Sequence, residues 1–463
     1  NMLKNVEQVK VDTTSGSTVD LTNQTEGFTI TVGGQTDSIT GSDGNDIITI
    51  LTAGHGDNDT LIGGAGSDVI NLSAGSHAFS TNNKLVTIET INANTSSTTL
   101  DLTGQLEAFT VAGGAQADNL TGGSGNDIIT GGGGNDTLKG GAGNDTLKVD
   151  SGSDIITLLG GAGAGGESDV LVVSSGAIAT AEDIKNFVAT TGTTNAGQAI
   201  LSAVSGGGTI NMDQATGVFE IRSGAGTDTL VGGSGNDTFK VLGDGQADSD
   251  TINGGAGTGD KLELSTGTHT FATDGKILNL EIINAHSSGS TLVLTNQTEG
   301  FTINGGAGAD NLTGGGGADT LTGGANNDTL VGGSGNDTFN VDQGTDTVTG
   351  LATGDILVVS NGATANANTI TSFDATFATK NNGAATLTVK TGGGVIDLED
   401  ATVGTGTYTI KVGNGTDTVT GSKGNDIFEV VSGGQGDADT ITGALGTDEL
   451  KLSTGNHSFT TDN

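Results

Sequence analysis

Apolar residues along this chain stand mostly alone or in strict alternation with polar ones. Leu120, Ile129, Leu138 and Leu147 lie nine residues apart, and each follows a run of Gly with Asn or Asp. An inward apolar residue between two outward ones, bounded by turn formers, reads as a very short strand. Longer alternation, as in Thr98-Thr99-Leu100-Asp101-Leu102 and Thr291-Leu292-Val293-Leu294, reads as further short strands joined by turns. Val, Ile, Leu and Thr favour such strands. One stretch departs from this: Ala181, Glu182, Asp183, Ile184 and Phe187 give residues 179–188 weak helical character and predict at most a short helix there.

The pattern repeats on two scales. From Gly113 the chain reads GGAQADNLT, GGSGNDIIT, GGGGNDTLK, GGAGNDTLK, VDSGSDIIT, and from Gly305 it reads GGAGADNLT, GGGGADTLT, GGANNDTLV, GGSGNDTFN, VDQGTDTVT. The longer period is about 190 residues: His77, His269 and His457 open three copies of one segment, and GTDTLVGGSGNDTFKV returns as GTDTVTGSKGNDIFEV. Repeat blocks are therefore expected at 33–73, 113–173, 223–264, 305–359 and 412–452. The β-rich connectors between them are expected at 74–112, 174–222, 265–304 and 360–411. Residues 1–32 read as the end of a preceding unit, and 453–463 as the start of the next connector, so the chain reads as a window from a longer tandem array.

Composition narrows the chemistry. The 463 residues include 85 Gly and no Pro, Cys or Trp, and only 32% are hydrophobic, so the core must be thin. The net charge of −39 argues against nucleic acid, whose phosphates need Lys and Arg, and against anionic membrane surfaces. No apolar run is long enough to span a bilayer. The absence of Cys removes disulfides and thiolate metal sites. A cation is the partner such a chain calls for.

The aspartates say where it goes. With two nonapeptides per coil of eighteen residues, stacked at about 4.8 Å, Asp118 comes to lie by Asp136, and Asp127 by Asp145. Carboxylates so close repel unless a hard cation lies between them. Calcium accepts six to eight oxygens at about 2.3–2.6 Å, which two carboxylates and several turn carbonyls can supply; magnesium, bound to octahedral geometry, fits worse. Loops without His or Cys suit neither zinc nor copper. The candidate ligands are Asp37, Asp46, Asp59, Asp68, Asp118, Asp127, Asp136, Asp145 and Asp154, then Asp228, Asp237, Asp248 and Asp250. Asp310, Asp319, Asp328, Asp337, Asp346, Asp417, Asp426, Asp437 and Asp439 complete the set. Glu89 and Glu281 read as solvated strand positions, with a ligand role as the other reading.

The repeat GGxGxDxUx, with U a large apolar residue, is the signature of calcium-binding parallel β-helices. In these blocks the chain resembles the RTX (hemolysin-type calcium-binding) repeat family, over about half its length. That resemblance implies an all-β parallel β-roll solenoid interrupted by the connectors and holding multiple Ca2+ ions; at eighteen residues per coil the 463 residues would make about 26 coils if unbroken. It also implies export by type I secretion and folding outside the cell, where calcium is plentiful. The connectors look like those of RTX surface-layer proteins. No HExxH or GxSxG sequence is present, and the His residues at the repeated position 77, 269 and 457 read as structural, so no enzyme is expected. The expected function is a secreted structural protein that assembles with copies of itself into a calcium-dependent surface layer, sheath or filament. The alternatives are the shaft of a large adhesin and, less favoured, the secretion region of an enzyme or toxin.

Overall fold

A computed structural model of the chain describes residues 3–11, 14–54, 58–157, 159, 168–243, 249–271, 273–431 and 439–455. Every regular element among them is a short β-strand, and every strand pairing is parallel. The residues fall into two compact units, one of residues 1–238 with 254–257, the other of residues 239–253 with 258–463.

In the first unit the chain passes from one parallel ladder to another at every turn. One ladder runs through Thr90–Asn92, Thr110–Ala112, Ile128–Thr130, Thr146–Val149 and Val170–Val173. The other runs through Thr98–Asp101, Asn119–Thr121, Thr137–Lys139, Ser153–Thr157 and Ile178–Ile184. Leu120 pairs with Leu138 and Ile129 with Leu147, so the eighteen-residue coil expected from the nonapeptide is present. These apolar centres are fully buried. Each contributes about 1.5–3 kcal/mol by leaving water, and the outward Thr and Lys beside them remain accessible.

The second unit is built in the same way. Thr302–Gly306, Thr320–Gly324, Thr338–Val341 and Ile356–Val359 form one ladder. Ser290–Val293, Asn311–Gly315, Thr329–Gly333, Thr345–Thr349 and Thr364–Ile370 form the other.

Two expectations need correction. The connectors do not interrupt the solenoid; they are coils of it. Thr90–Asn92 pairs with a repeat strand, Val69–Asn71, on one side and with Thr110–Ala112 on the other. Their turns are longer: Thr90 pairs with Thr110, Gly75 with Thr98, and Ser153 with Ile178. Coils longer than eighteen residues make fewer than 26 of them. The helix expected at 179–188 is also absent. Its residues form the strands Ile178–Ile184 and Asn186–Val188. Ala179 stacks on Asp154 and Ala181 on Ile156, so the alternating burial of a strand wins over local helix propensity. Asp183 takes a left-handed φ of 56° where the register slips between Ala181 and Ile184.

Candidate metal centres in the carboxylate ladders

Each repeat aspartate sits where a Gly-rich turn enters its strand, with its side chain turned inside. Asp127, Asp136, Asp145 and Asp154 are 1% exposed. Within each ladder, up to its last aspartate, the backbone N–H of one aspartate donates to Oδ1 of the aspartate one coil on. The distance is 2.8 Å from Asp118 to Asp136, 2.9 Å from Asp136 to Asp154, and 2.8 Å from Asp127 to Asp145. In the second unit, Asp310 donates to Asp328 and Asp328 to Asp346, as Asp319 does to Asp337. The pairs expected to meet do meet, but not as bare facing carboxylates: one oxygen of each is held by main chain.

The second oxygen is different. Oδ2 of Asp37, Asp68, Asp136, Asp154, Asp310, Asp328, Asp337 and Asp346 is buried with no hydrogen-bond partner. Leaving such a charged oxygen unmatched is expensive. These oxygens also converge. A β-carbon added at Gly131 would lie 2.6 Å from Asp136 Oδ2 and 3.0 Å from Asp154 Oδ2. One added at Gly305 would lie 2.8 Å from Asp310 Oδ2 and run into the carbonyl of Gly323, the corresponding glycine of the next coil. Each cradle thus joins carboxylate oxygens and turn carbonyls, a hard oxygen set that suits calcium. No cluster of three His, Cys, Asp or Glu side chains exists among the described residues, so carbonyls must complete any coordination sphere.

Burial dominates the electrostatics. It pushes the Asp136 carboxyl up to about 6, against the lowering effect of the Asp118 N–H, and the neighbouring charges of Asp154 and Asp118 add to the rise. Burial likewise raises Asp68, Asp154, Asp310, Asp319, Asp346 and Asp355 to about 6. Asp127, Asp228, Asp237, Asp328, Asp337 and Asp426 are raised by the same cause.

Where a ladder starts, the slot below the first aspartate holds another residue. On one side it is aromatic: the N–H groups of Phe28, Phe109, Phe219, Phe301 and Tyr408 donate to Asp46, Asp127, Asp237, Asp319 and Asp426. On the other it is small: Ser17, Thr98, Gly208, Ser290 and Gly394 donate to Asp37, Asp118, Asp228, Asp310 and Asp417. The rings fill the corner that a carboxylate occupies in the repeats.

Several rungs were not legible as such. Asp169, Asp260 and Asp355 are buried ladder members, and Asp169 and Asp355 accept the N–H groups of Asp145 and Asp337. Asp355 falls in the nine-residue register, whereas longer loops precede Asp169 and Asp260. Glu89 and Glu281 lie just ahead of strands, and Oε2 of each accepts the N–H of Asp68 or Asp260 at 2.7 and 2.8 Å, so they are the next rung, not strand positions. Asn at the position before Asp forms a second ladder: Asn126 Oδ1 accepts the N–H of Asn144, and Asn144 Oδ1 that of Ser168. Asp59 and Asp439 accept N–H groups of Asp37 and Asp417, and Asp250 is fully buried. Asp248, Asp437 and His457 lie outside the described residues. His77 and His269 replace an apolar centre, pairing with Leu100 and Leu292. Nε2 of each lies 3.0–3.1 Å from the carbonyl oxygen of Ser73 or Ser265.

Comparison with known proteins agrees with this geometry. The family model of the RTX calcium-binding nonapeptide repeat (4 copies) matches residues 29–49, 53–76, 110–138, 130–165, 220–240, 302–330, 322–357 and 412–450. No curated protein matches the chain. No described helix is long and apolar enough to cross a membrane.

Proposed function

We propose, for a chain that is one of the RTX calcium-binding repeat proteins, that it is a secreted structural protein whose calcium-loaded coils assemble with copies of themselves into a surface layer, sheath or filament. Its repeats bind calcium, and several ions per chain follow from the number of repeats. The ligands are the inward Asp oxygens of adjacent coils together with turn carbonyls. The observation that carries this reading is the row of buried carboxylate oxygens with no partner, among them Asp136, Asp154, Asp328 and Asp346. Without a cation these coils carry uncompensated charge in their interior; with one they close. Binding free energy available only where calcium is plentiful then becomes folding free energy.

The described residues are coils throughout, which suits a scaffold better than a catalyst. With a charge of −39, copies of the chain approach one another only through bridging cations. Exposed Leu106 and Phe377, 61% and 84% accessible, offer apolar contact once that repulsion is screened. The regular Thr and Asn rows on the outer faces favour a second reading, the calcium-stiffened shaft of an adhesin.

Two measurements decide. Circular dichroism of the purified chain should show loss of β-structure in chelator and its return with millimolar calcium; a fold indifferent to chelator would sink the calcium reading. Electron microscopy in calcium should then show ordered sheets or filaments. Dispersed single particles at every protein concentration would leave the shaft.

A further inference from the structure

The glycine-rich loops come in two geometries. In one, the N–H of the residue four before the aspartate donates to Oδ2. Gly114, Gly123, Gly224, Gly233, Gly315 and Gly413 do this for Asp118, Asp127, Asp228, Asp237, Asp319 and Asp417, as Ser42 and Ser422 do for Asp46 and Asp426. None of these glycines is in the left-handed region. In the other, the equivalent glycine is left-handed: Gly64 at φ 109°, Gly132 at 90°, Gly306 at 114°, Gly324 at 94° and Gly333 at 114°. There the N–H makes no bond to the carboxylate, and Oδ2 of Asp68, Asp136, Asp310, Asp328 and Asp337 has no partner. Asp154 and Asp346, with Asp150 and Asp342 in place of the second glycine, leave Oδ2 without a partner too, as does Asp37.

With one exception the two geometries sit on different floors; the open loop of Gly306 lies over the connector residues His286 and Ser287. The closed loops of Gly123, Gly233 and Gly315 rest on the connector carbonyls of Gln105, Ala215 and Gln297. The open loops of Gly64, Gly132, Gly324 and Gly333 rest on the carbonyls of Ser42, Gly114, Gly306 and Gly315, each in a loop of a preceding repeat. A closed loop above a connector has an aromatic ring or a small residue in the slot below, not a carboxylate.

We infer that calcium fills only the open loops, and that a closed loop satisfies its aspartate with main-chain N–H in place of metal. The inference rests on the calcium reading above and divides the candidate aspartates by role. Both oxygens of Asp127 already accept N–H groups, from Phe109 and Gly123. A cation bound to Oδ2 would face the positive end of the Gly123 N–H, and although Asp145 stands above Asp127 as Asp154 does above Asp136, the slot below holds Phe109 in place of a carboxylate. At Asp136 the left-handed glycine turns that N–H away, and the coil above supplies Asp154. Each ladder that begins with a closed loop therefore holds fewer ions than aspartates, and its first repeat coil docks on the connector without metal.

The test counts bound calcium on the full chain by equilibrium dialysis with elemental analysis at saturating calcium. Asp127→Asn and Asp319→Asn should bind as many ions as the parent, and Asp136→Asn and Asp328→Asn at least one fewer. Loss of ions from Asp127→Asn or Asp319→Asn, with a parent that binds calcium, overturns this assignment alone; a parent that binds none overturns the functional reading with it. Anomalous scattering from crystals of the parent gives a check independent of variant folding. Peaks should lie beside Asp136 and Asp328, and a peak within coordination distance of Asp127 Oδ2 would refute the division.

Discussion

Tyr408 fills the ladder-start slot that Phe28, Phe109, Phe219 and Phe301 fill elsewhere, and it brings a hydroxyl into a place where nothing receives it. The residue is fully buried, and its oxygen has no hydrogen-bond partner. Burial and the nearby charge of Asp426 hold its ionisation well above the usual tyrosine range. Because a buried unmatched hydroxyl costs about 1–3 kcal/mol and the slot accepts phenylalanine, Tyr408→Phe should stabilise the calcium-loaded chain by about 1 kcal/mol. A denaturant midpoint unchanged or lowered by Tyr408→Phe would contradict that account. Glu281 makes the opposite case. It ends a carboxylate ladder by accepting the Asp260 N–H, so Glu281→Ala should cost about 1–2 kcal/mol in the same measurement. A neutral effect would mean that the carboxylate is only a solvated neighbour.

At the scale of the coil, the nine-residue spacing made the eighteen-residue turn, its inward Leu and Ile and the meeting of Asp118 with Asp136 legible in advance, because period and burial are one pattern. The connectors were less legible. Their coils vary in length, and the Asp slot is taken by residues as unlike as Phe109 and Thr98, so no spacing marks them. Ala179 and Ala181 were misread for a related reason: alanine favours a helix in isolation, while stacking on Asp154 and Ile156 decides for a strand. The roles of Glu89 and Glu281 turn on a hydrogen bond between coils that no local pattern reveals. The ladder also sets a pH dependence. In the metal-free fold, burial raises Asp136, Asp154, Asp310 and Asp346 to about 6, against about 3.9 in an unfolded chain. The folded form then holds more protons than the unfolded form between those values. Its stability in chelator should be greatest below about pH 4 and fall as pH rises through about 6. Protons that hold the metal-free fold together then do part of the work of calcium, so the calcium concentration needed for folding at pH 5 should lie at or below that at pH 7. Circular dichroism in chelator and calcium titrations at the two pH values check both; a chelated chain no more stable at pH 5 than at pH 7 would show that burial does not raise these carboxyls.

Across the whole chain, stability is distributed along rows of small, similar contributions instead of residing in one large core. The chain crosses from one ladder to the other with each nonapeptide, and this sets which changes in length the coils accept. Excising residues 122–139 removes one coil and lets Asp145 take the place of Asp127 above Phe109, with every carboxylate still on its own side. Excising only residues 131–139 sends every later strand of that unit to the opposite side, yet Asp145 then stacks on Asp118 and Asp154 on Asp127, because both ladders carry aspartate in the same slot. Excising residues 131–135 breaks the nine-residue register and sets later aspartates against strand positions. Both whole-repeat deletions should keep calcium-dependent folding with a smaller ellipticity change, and the out-of-register one should lose it. Arrays of this kind can accordingly lengthen or shorten by whole nonapeptides with little penalty, while steps out of register are costly.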